Sequence, residues 1–359
     1  MGPTAENRRP NVAIACQGGG SHAAFAAGVL VELLTPQMPR PAGREIGPFQ
    51  LIALTGTSGG AICAALAWSA LVRTGGCHDQ ASCALEHFWR DLSTTNPVDF
   101  AINRSCLWMA RLPVTMEISP YDYPQWSGAY LRMLLERHLR LDQMPADRSQ
   151  WNDPVLFVGV TDIKTGLGLA LPGEHLTYEH LLASAAVPPL FRAVASDGRY
   201  FWDGLFSRNP PICELTNVEP RPDEIWVIQI NPQRCDTVPT RMTQISDRRN
   251  ELTGNLSLNE ELAFVDKINE IARKYPAVAA DYHPITIRKV TLDLDLDYAS
   301  KFDRGIIHIR RLMDHGKRKA HEFFQSDSVW RREEARSRGE LSPKEVAKVG
   351  RATARPHVV

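Results

Sequence analysis

The sequence predicts an α/β fold built on a mostly parallel sheet, and three observations predict it. Two short apolar strands, "NVAIAC" (11–16) and "FQLIAL" (49–54), each run into glycines. Each is then followed by an apolar helix, "HAAFAAGVLVELL" (22–34) and 60–72. A strand–glycine–helix unit repeated in this way implies parallel neighbours joined by helical crossovers. Further on, "EIWVIQI" (224–230) is apolar almost throughout, as a strand covered on both faces must be.

The remaining elements follow in order. Residues 73–150 carry helical pieces, many aromatics and several prolines, and read as a helical insertion. "PVLFVGVTD" (154–162) and "LGLAL" (167–171) are strands. "YEHLLASAAV" is a helix stopped by Pro188-Pro189, and "RYFWDG" (199–204) is a short strand and turn. A long polar helix is expected at about 240–275, a strand in "PITIRKVTLDL", and an amphipathic helix at 303–324. The simplest organisation is one α/β domain over 12–215 with a C-terminal α/β extension, 216–328, packed on the same core. From Arg331 to Val359 eight Arg/Lys face four Glu and apolar periodicity is lost, so 329–359 is expected to be a disordered basic tail.

Composition narrows the function classes. Of 359 residues, 43% are hydrophobic and 23% charged, ordinary for a globular enzyme, and the zero formal net charge gives no reason to expect nucleic acid. The seven cysteines (16, 63, 77, 83, 106, 213, 235) contain no C-x-x-C pair, which argues against a zinc site and a disulfide framework and fits a reducing cytoplasm. No secretory signal is evident. The longest apolar run, "AICAALAWSALV", is too short to span a bilayer. The expected location is cytoplasmic, with peripheral membrane contact as a variant.

The chemistry centres on "LTGTSGGAICAAL" (54–66). Gly56-Thr57-Ser58-Gly59-Gly60 matches G-x-S-x-G between an apolar strand and an apolar helix. In a nucleophile elbow the serine occupies a sharp strand-to-helix turn that presents its hydroxyl, and small neighbours let strand and helix pass closely. The bland alternative is a tight turn whose serine merely caps the helix. Upstream, Gly18-Gly19-Gly20 also follows a strand and opens a helix, so these amides are candidates for an oxyanion hole. Gly18-x-Gly20-x-x-Ala23 fits a dinucleotide fingerprint as well, but the acidic residue that motif needs after the second strand is missing. For the base, Asp203 stands in "YFWDGLFSRNPP", a sharp Asp-Gly turn expected to be exposed or to line a cleft. The alternatives are an ordinary turn at Asp203, an acid at Asp162, or one of the late histidines 283, 308, 315, 321 and 357 completing a Ser-His-Asp triad. None of those histidines lies in a small-residue loop between a strand and a helix.

"QGGGSHAAFAAGVL", "GTSGG" and "DG", in this order, resemble the patatin-like phospholipases, and "SAAVPPLF" (184–191, with Pro188) is similar to the segment preceding that family's aspartate. The resemblance covers roughly 12–215. It implies a modified three-layer α/β/α fold and hydrolysis of lipid acyl esters by a serine–aspartate dyad, with no metal or other cofactor. Ser58 would be the nucleophile, Asp203 (followed by Gly204) the base, and the amides of Gly18, Gly19 and Gly20 the oxyanion hole. Two positions depart from the family pattern. His22 stands where Arg or Lys is usual, two residues after the glycines. Leu205 stands where Gly or Ala is usual, and must project away from the serine.

The insertion carries Trp89, Trp108, Met109, Leu112, Met116, Tyr121, Tyr123 and Trp126. Such a stretch is either a cap over an acyl-chain groove that dips into a lipid interface, or core packing against the sheet. Cys16 and Cys63 are expected to be inert packing residues. The expected partner is a lipid or other acyl-ester substrate. The remaining alternative is a protein that binds acyl chains without turning them over.

Overall fold

A computed structural model describes residues 9–35, 49–111, 119–122, 124–145, 153–188 and 190–326. The tail at 329–359, His357, Leu112, Met116, Tyr123 and Pro189 lie outside the described residues.

The first strand, β1 (Asn11–Cys16), is wholly buried and leads through a 3-10 turn, Gly20–Ala23, into α1 (Ala24–Leu34). Strand β2 (Gln50–Thr57) leads through Ser58 alone into α2 (Gly59–Thr74). The insertion forms α3 (His78–Leu92), α4 (Pro97–Arg111) and α5 (Trp126–Leu139). Then come β3 (Val155–Asp162), β4 (Gly168–Pro172), α6 (Tyr178–Ser184), β5 (Val194–Ser196) and β6 (Arg199–Asp203). The rest of the described chain forms β7 (Glu224–Gln229), α7 (Met242–Lys274), α8 (Pro276–Asp281), β8 (Thr286–Thr291) and α9 (Ile306–Ser326).

Among the described residues all eight strands form one sheet. Strands β3, β2, β1, β7 and β8 are parallel neighbours, and β4, β5 and β6 pair antiparallel. Strand alternation explains the layering. Val12, Ile14 and Cys16 point into a core shared with α1, α2, α3, α5 and α9. Ala13 and Ala15 point to the opposite face, where Leu258, Leu262 and Val265 of α7 pack with Ile225 and Val227. Each such leucine or valine contributes about 1.5–3 kcal/mol by leaving water. The result is a three-layer α/β/α arrangement, in which α9 lies backbone to backbone against α1 at Gly28 and Gly316. No helix among the described residues is long and apolar enough to cross a membrane.

The register around β3 brings distant parts of the chain together. Gly159 pairs with Thr57 of β2 on one side and Ala170 of β4 on the other. One residue on, Val160 pairs with Leu169 of β4 and with Asp203 of β6. Because β4 occupies one flank of β3 throughout, β6 must occupy the flank that β2 has just left. Asp203 therefore takes the next rung beyond Thr57, at the place where the chain turns away through Ser58.

Candidate active site

Ser58 has φ 56° and ψ −130°, a left-handed conformation that a non-glycine residue adopts only under constraint. The constraint is visible in its neighbours. Gly60 lies so close to β1 that a methyl group there would come within 2.6 Å of the Gln17 carbonyl oxygen and closer still to that of Cys16. Gly56 and Gly60 in turn pack on each other. The glycines flanking the serine are thus required by the approach of strand to helix. Ser58 is only 7% exposed, so its turn forms a recessed floor rather than the open presentation expected of an elbow.

The Ser58 amide donates to Ser184 Oγ (2.9 Å), and Ser184 Oγ donates to the Gly159 carbonyl (2.7 Å). Thr57 Oγ1 donates to the Arg208 carbonyl. Two buried hydroxyls therefore hold the strained residue from both sides. Ser184 belongs to the "SAAVPPLF" segment. Pro188 lies just beyond α6, and the Ala186 carbonyl between them accepts the Asp203 amide at 3.1 Å.

Asp203 is fully buried, a correction to the expected exposed or cleft-lining turn. Because β6 lies inside the sheet, the Asp-Gly turn is covered by β3 and its surroundings. Its Oδ1 accepts the Leu205 amide (2.8 Å), its carbonyl accepts Thr161 Oγ1 (2.9 Å), and its Oδ2 is buried without a hydrogen-bond partner of ordinary geometry. Burial pushes the carboxyl from its ordinary 3.8 up to about 7; the Leu205 amide, the Ser58 hydroxyl and the charge of Lys301 pull the other way. The Ser58 hydroxyl therefore lies within reach of the carboxyl although it is not aligned on Oδ2. Gly204 follows beneath Gly159, and Leu205 turns toward Gly254 of α7.

The glycine turn differs from expectation at one position. The Gly18 amide already donates to Asn209 Oδ1 at 2.7 Å, so it is not free to meet an oxyanion. Asn209 is itself anchored through Nδ2 to the Gly254 carbonyl at 2.9 Å. Gly19 and Gly20 make no such contact through their amides among the described residues. Gly20, with φ 56°, packs against the backbone of Lys301. His22 is buried, bonds Ser300 Oγ (2.7 Å), and is held well below its ordinary pKa by burial and then by Lys301 and His308. A neutral imidazole thus stands at position 22.

The other candidates are engaged elsewhere. Asp162 Oδ1 accepts the amides of Lys164 and Thr165. His283 bonds the Pro222 carbonyl, His315 bonds Asp293, His321 bonds Gln325, and His308 lies beside His22. None of the four bonds Ser58. Cys16 and Cys63 are buried, and burial raises both thiols, Cys63 to about 12. In the insertion, Trp89 joins the core, whereas Trp108, Tyr121 and Trp126 are exposed.

A family model described as patatin-like phospholipase matches residues 14–216, more than half of the chain, including Ser58, Ser184, Asp203, Asn209 and the glycine turn. The chain belongs to the patatin-like phospholipase family. Members of the patatin family are lipid acyl hydrolases. Among solved structures, the crystal structure of VipD from Legionella pneumophila matches with 12% identity and a TM-score of 0.38, over 89% of this chain and 67% of that chain. No curated protein sequence matches the chain.

Three residues of this patatin-like site escaped the sequence reading. In the sequence Ser184 is one member of a small-residue run. Asn209 carries a signal in hindsight, a polar residue directly before two prolines that hold its loop rigid. Lys301 carries none, since its neighbourhood is set by the packing of a turn nearly a hundred residues beyond Asp203.

Proposed function

We propose that the protein hydrolyses lipid acyl esters through a Ser58–Asp203 dyad. The observation that carries this reading is the placement of a buried carboxyl, with one oxygen unpartnered and its pKa raised to about 7, on the rung next to a strained serine. A carboxylate with a pKa near the working pH is far better matched to a serine proton than an exposed one.

In the reaction, Asp203 Oδ2 takes the Ser58 hydroxyl proton as Oγ attacks the ester carbonyl carbon, whose oxygen becomes an oxyanion. The amides of Gly19 and Gly20, with that of Gly59 at the N-terminus of α2, supply hydrogen bonds and the positive end of the helix dipole to that charge. Collapse expels the alcohol, which recovers the proton from Asp203 and leaves an acyl-Ser58 ester. Water then attacks the acyl carbon, Asp203 takes its proton, and collapse returns that proton to Oγ, releasing the fatty acid. Because Gly18 is bound to Asn209, its part is to hold the turn rather than to donate.

The exposed Trp108, Tyr121 and Trp126, with Val98, Phe100 and Ile102 of α4, support contact of the insertion with a lipid surface, where aromatic and aliphatic side chains insert readily.

A short-chain nitrophenyl ester and a fluorophosphonate probe test the reading together. Ser58→Ala should abolish turnover and labelling in a folded protein. Asp203→Asn should lower both by about 10²–10⁴-fold. A folded Asp203→Asn protein with full labelling and full turnover would place the base elsewhere.

A further inference from the structure

The glycine turn is tied to a part of the chain that the family model does not reach. Two wholly buried side-chain amides, those of Gln17 and Asn209, make the ties, and both end on α7, outside residues 14–216. Gln17 uses its full hydrogen-bonding capacity. Its Oε1 accepts the amides of Ile230 and Asn231, just past the end of β7, at 2.8 Å each. Its Nε2 donates to the Gly254 carbonyl (3.0 Å) and to Asn255 Oδ1 (2.9 Å) of α7. Asn209 Oδ1 accepts the Gly18 amide at 2.7 Å, and Asn209 Nδ2 donates to the same Gly254 carbonyl at 2.9 Å. The Asn209 backbone amide donates to Ser257 Oγ, on the next turn of α7, at 3.1 Å. One carbonyl inside a helix thus receives both side chains that hold the start of the glycine turn. A side chain at position 254 would run into Asn231 Nδ2, so α7 comes this close only with glycine there, although an interior glycine weakens a helix. The residues held in this way pack on the reacting groups. A methyl group at Gly18 would come within 2.9 Å of Ser58 Cβ, and one at Gly19 within 2.8 Å of Ile230 Cγ2, on the residue whose amide Gln17 holds.

We infer that Asn209 and Gln17 are positioning residues that set the Gly19 and Gly20 amides against Ser58 by tying the glycine turn to the Gly254 carbonyl, which makes α7 part of the catalytic unit. The inference rests on the dyad and oxyanion-hole reading above. Donors to an oxyanion work at about 2.7–3.1 Å, so a turn released by a fraction of an ångström loses transition-state stabilisation. Those donors meet a charge that exists only after the serine has attacked. The loss therefore falls on kcat and leaves substrate binding nearly unchanged.

The test measures kcat and KM on the nitrophenyl ester for Asn209→Ala and Gln17→Glu, together with inhibition by an alkyl trifluoromethyl ketone. Ser58 Oγ adds to the carbonyl carbon of that ketone, the serine proton passes to Asp203, and the carbonyl oxygen becomes an oxyanion facing the same amides. Asn209→Ala removes both side-chain bonds of Asn209. Gln17→Glu keeps an acceptor for the Ile230 and Asn231 amides and puts an oxygen in place of the donor facing α7, so it is expected to fold even if the alanine variant does not. In each folded variant kcat should fall by about ten- to hundredfold with KM within about twofold, and the inhibition constant of the ketone should rise by the same factor. Folding and melting temperature are followed by circular dichroism. Folded variants that melt earlier but keep kcat overturn the inference, as does a ketone affinity that does not follow kcat. Failure of both variants to fold also overturns it, because the bonds then serve the fold and not the turn. Ser58→Ala in the same assay separates the two claims. If it keeps turnover, the dyad reading fails; if it is inactive while folded Asn209→Ala and Gln17→Glu keep wild-type kcat and ketone affinity, only the positioning role fails.

Discussion

Asp203→Asn should make the protein more stable at alkaline pH while nearly inactivating it. The carboxyl is fully buried, and its pKa is raised from 3.8 to about 7. For an acid with a raised folded-state pKa, the stabilising contribution is fully present below the unfolded value and is lost as pH rises toward the folded one. Between 3.8 and about 7 the unfolded chain ionises and the folded one does not, so the native state loses about 4 kcal/mol by pH 8. At pH 5 the loss is only about 1.5 kcal/mol. Asparagine carries no charge at either pH. Its Oδ1 can accept the Leu205 amide as the carboxyl does, and its Nδ2 faces the Ser58 hydroxyl. The stability of Asp203→Asn relative to wild type should therefore rise by about 2.5 kcal/mol between pH 5 and pH 8. Urea unfolding followed by tryptophan fluorescence at the two pH values measures that difference. A gap that stays constant or narrows with rising pH would refute the reasoning, because the carboxyl would then ionise in the fold without cost.

Three further outcomes follow from the same geometry. Ser184→Ala strips a partner from the Ser58 amide and from the Gly159 carbonyl, and should cost about 2–4 kcal/mol in urea unfolding as well as lowering kcat; an unchanged midpoint would show that the elbow does not depend on it. Gly60→Ala forces a methyl group against the carbonyls of Cys16 and Gln17, and should give either no soluble protein or one destabilised by about 1–3 kcal/mol, read as a lower melting temperature. Under the proposed dyad, ester turnover should fall as pH drops through about 7, because a protonated carboxyl cannot accept the serine proton; a flat profile down to pH 5 would argue against a carboxylate base.

Much of this was legible in the chain. Local pattern is a short-range property, and "NVAIAC", "FQLIAL", "GTSGG" and "EIWVIQI" write the strands and the elbow directly into neighbouring residues. The corresponding elements, β1, β2, the turn at Ser58 and β7, lie where that pattern puts them. The glycines around Ser58 were equally legible, because close passage of a strand and a helix excludes a side chain wherever it occurs.

The tertiary structure alone decided three things. It set Asp203 on the rung beyond Thr57, because β6 enters the flank of β3 that β2 vacates, a register no local pattern encodes. It tied the Gly18 amide to Asn209 Oδ1, 191 residues away in the sequence. It also buried Asp203 completely and brought Lys301 into its field. Burial and Coulombic contact depend on what else fills the surrounding space, and at this site that neighbourhood is assembled from four separate parts of the chain.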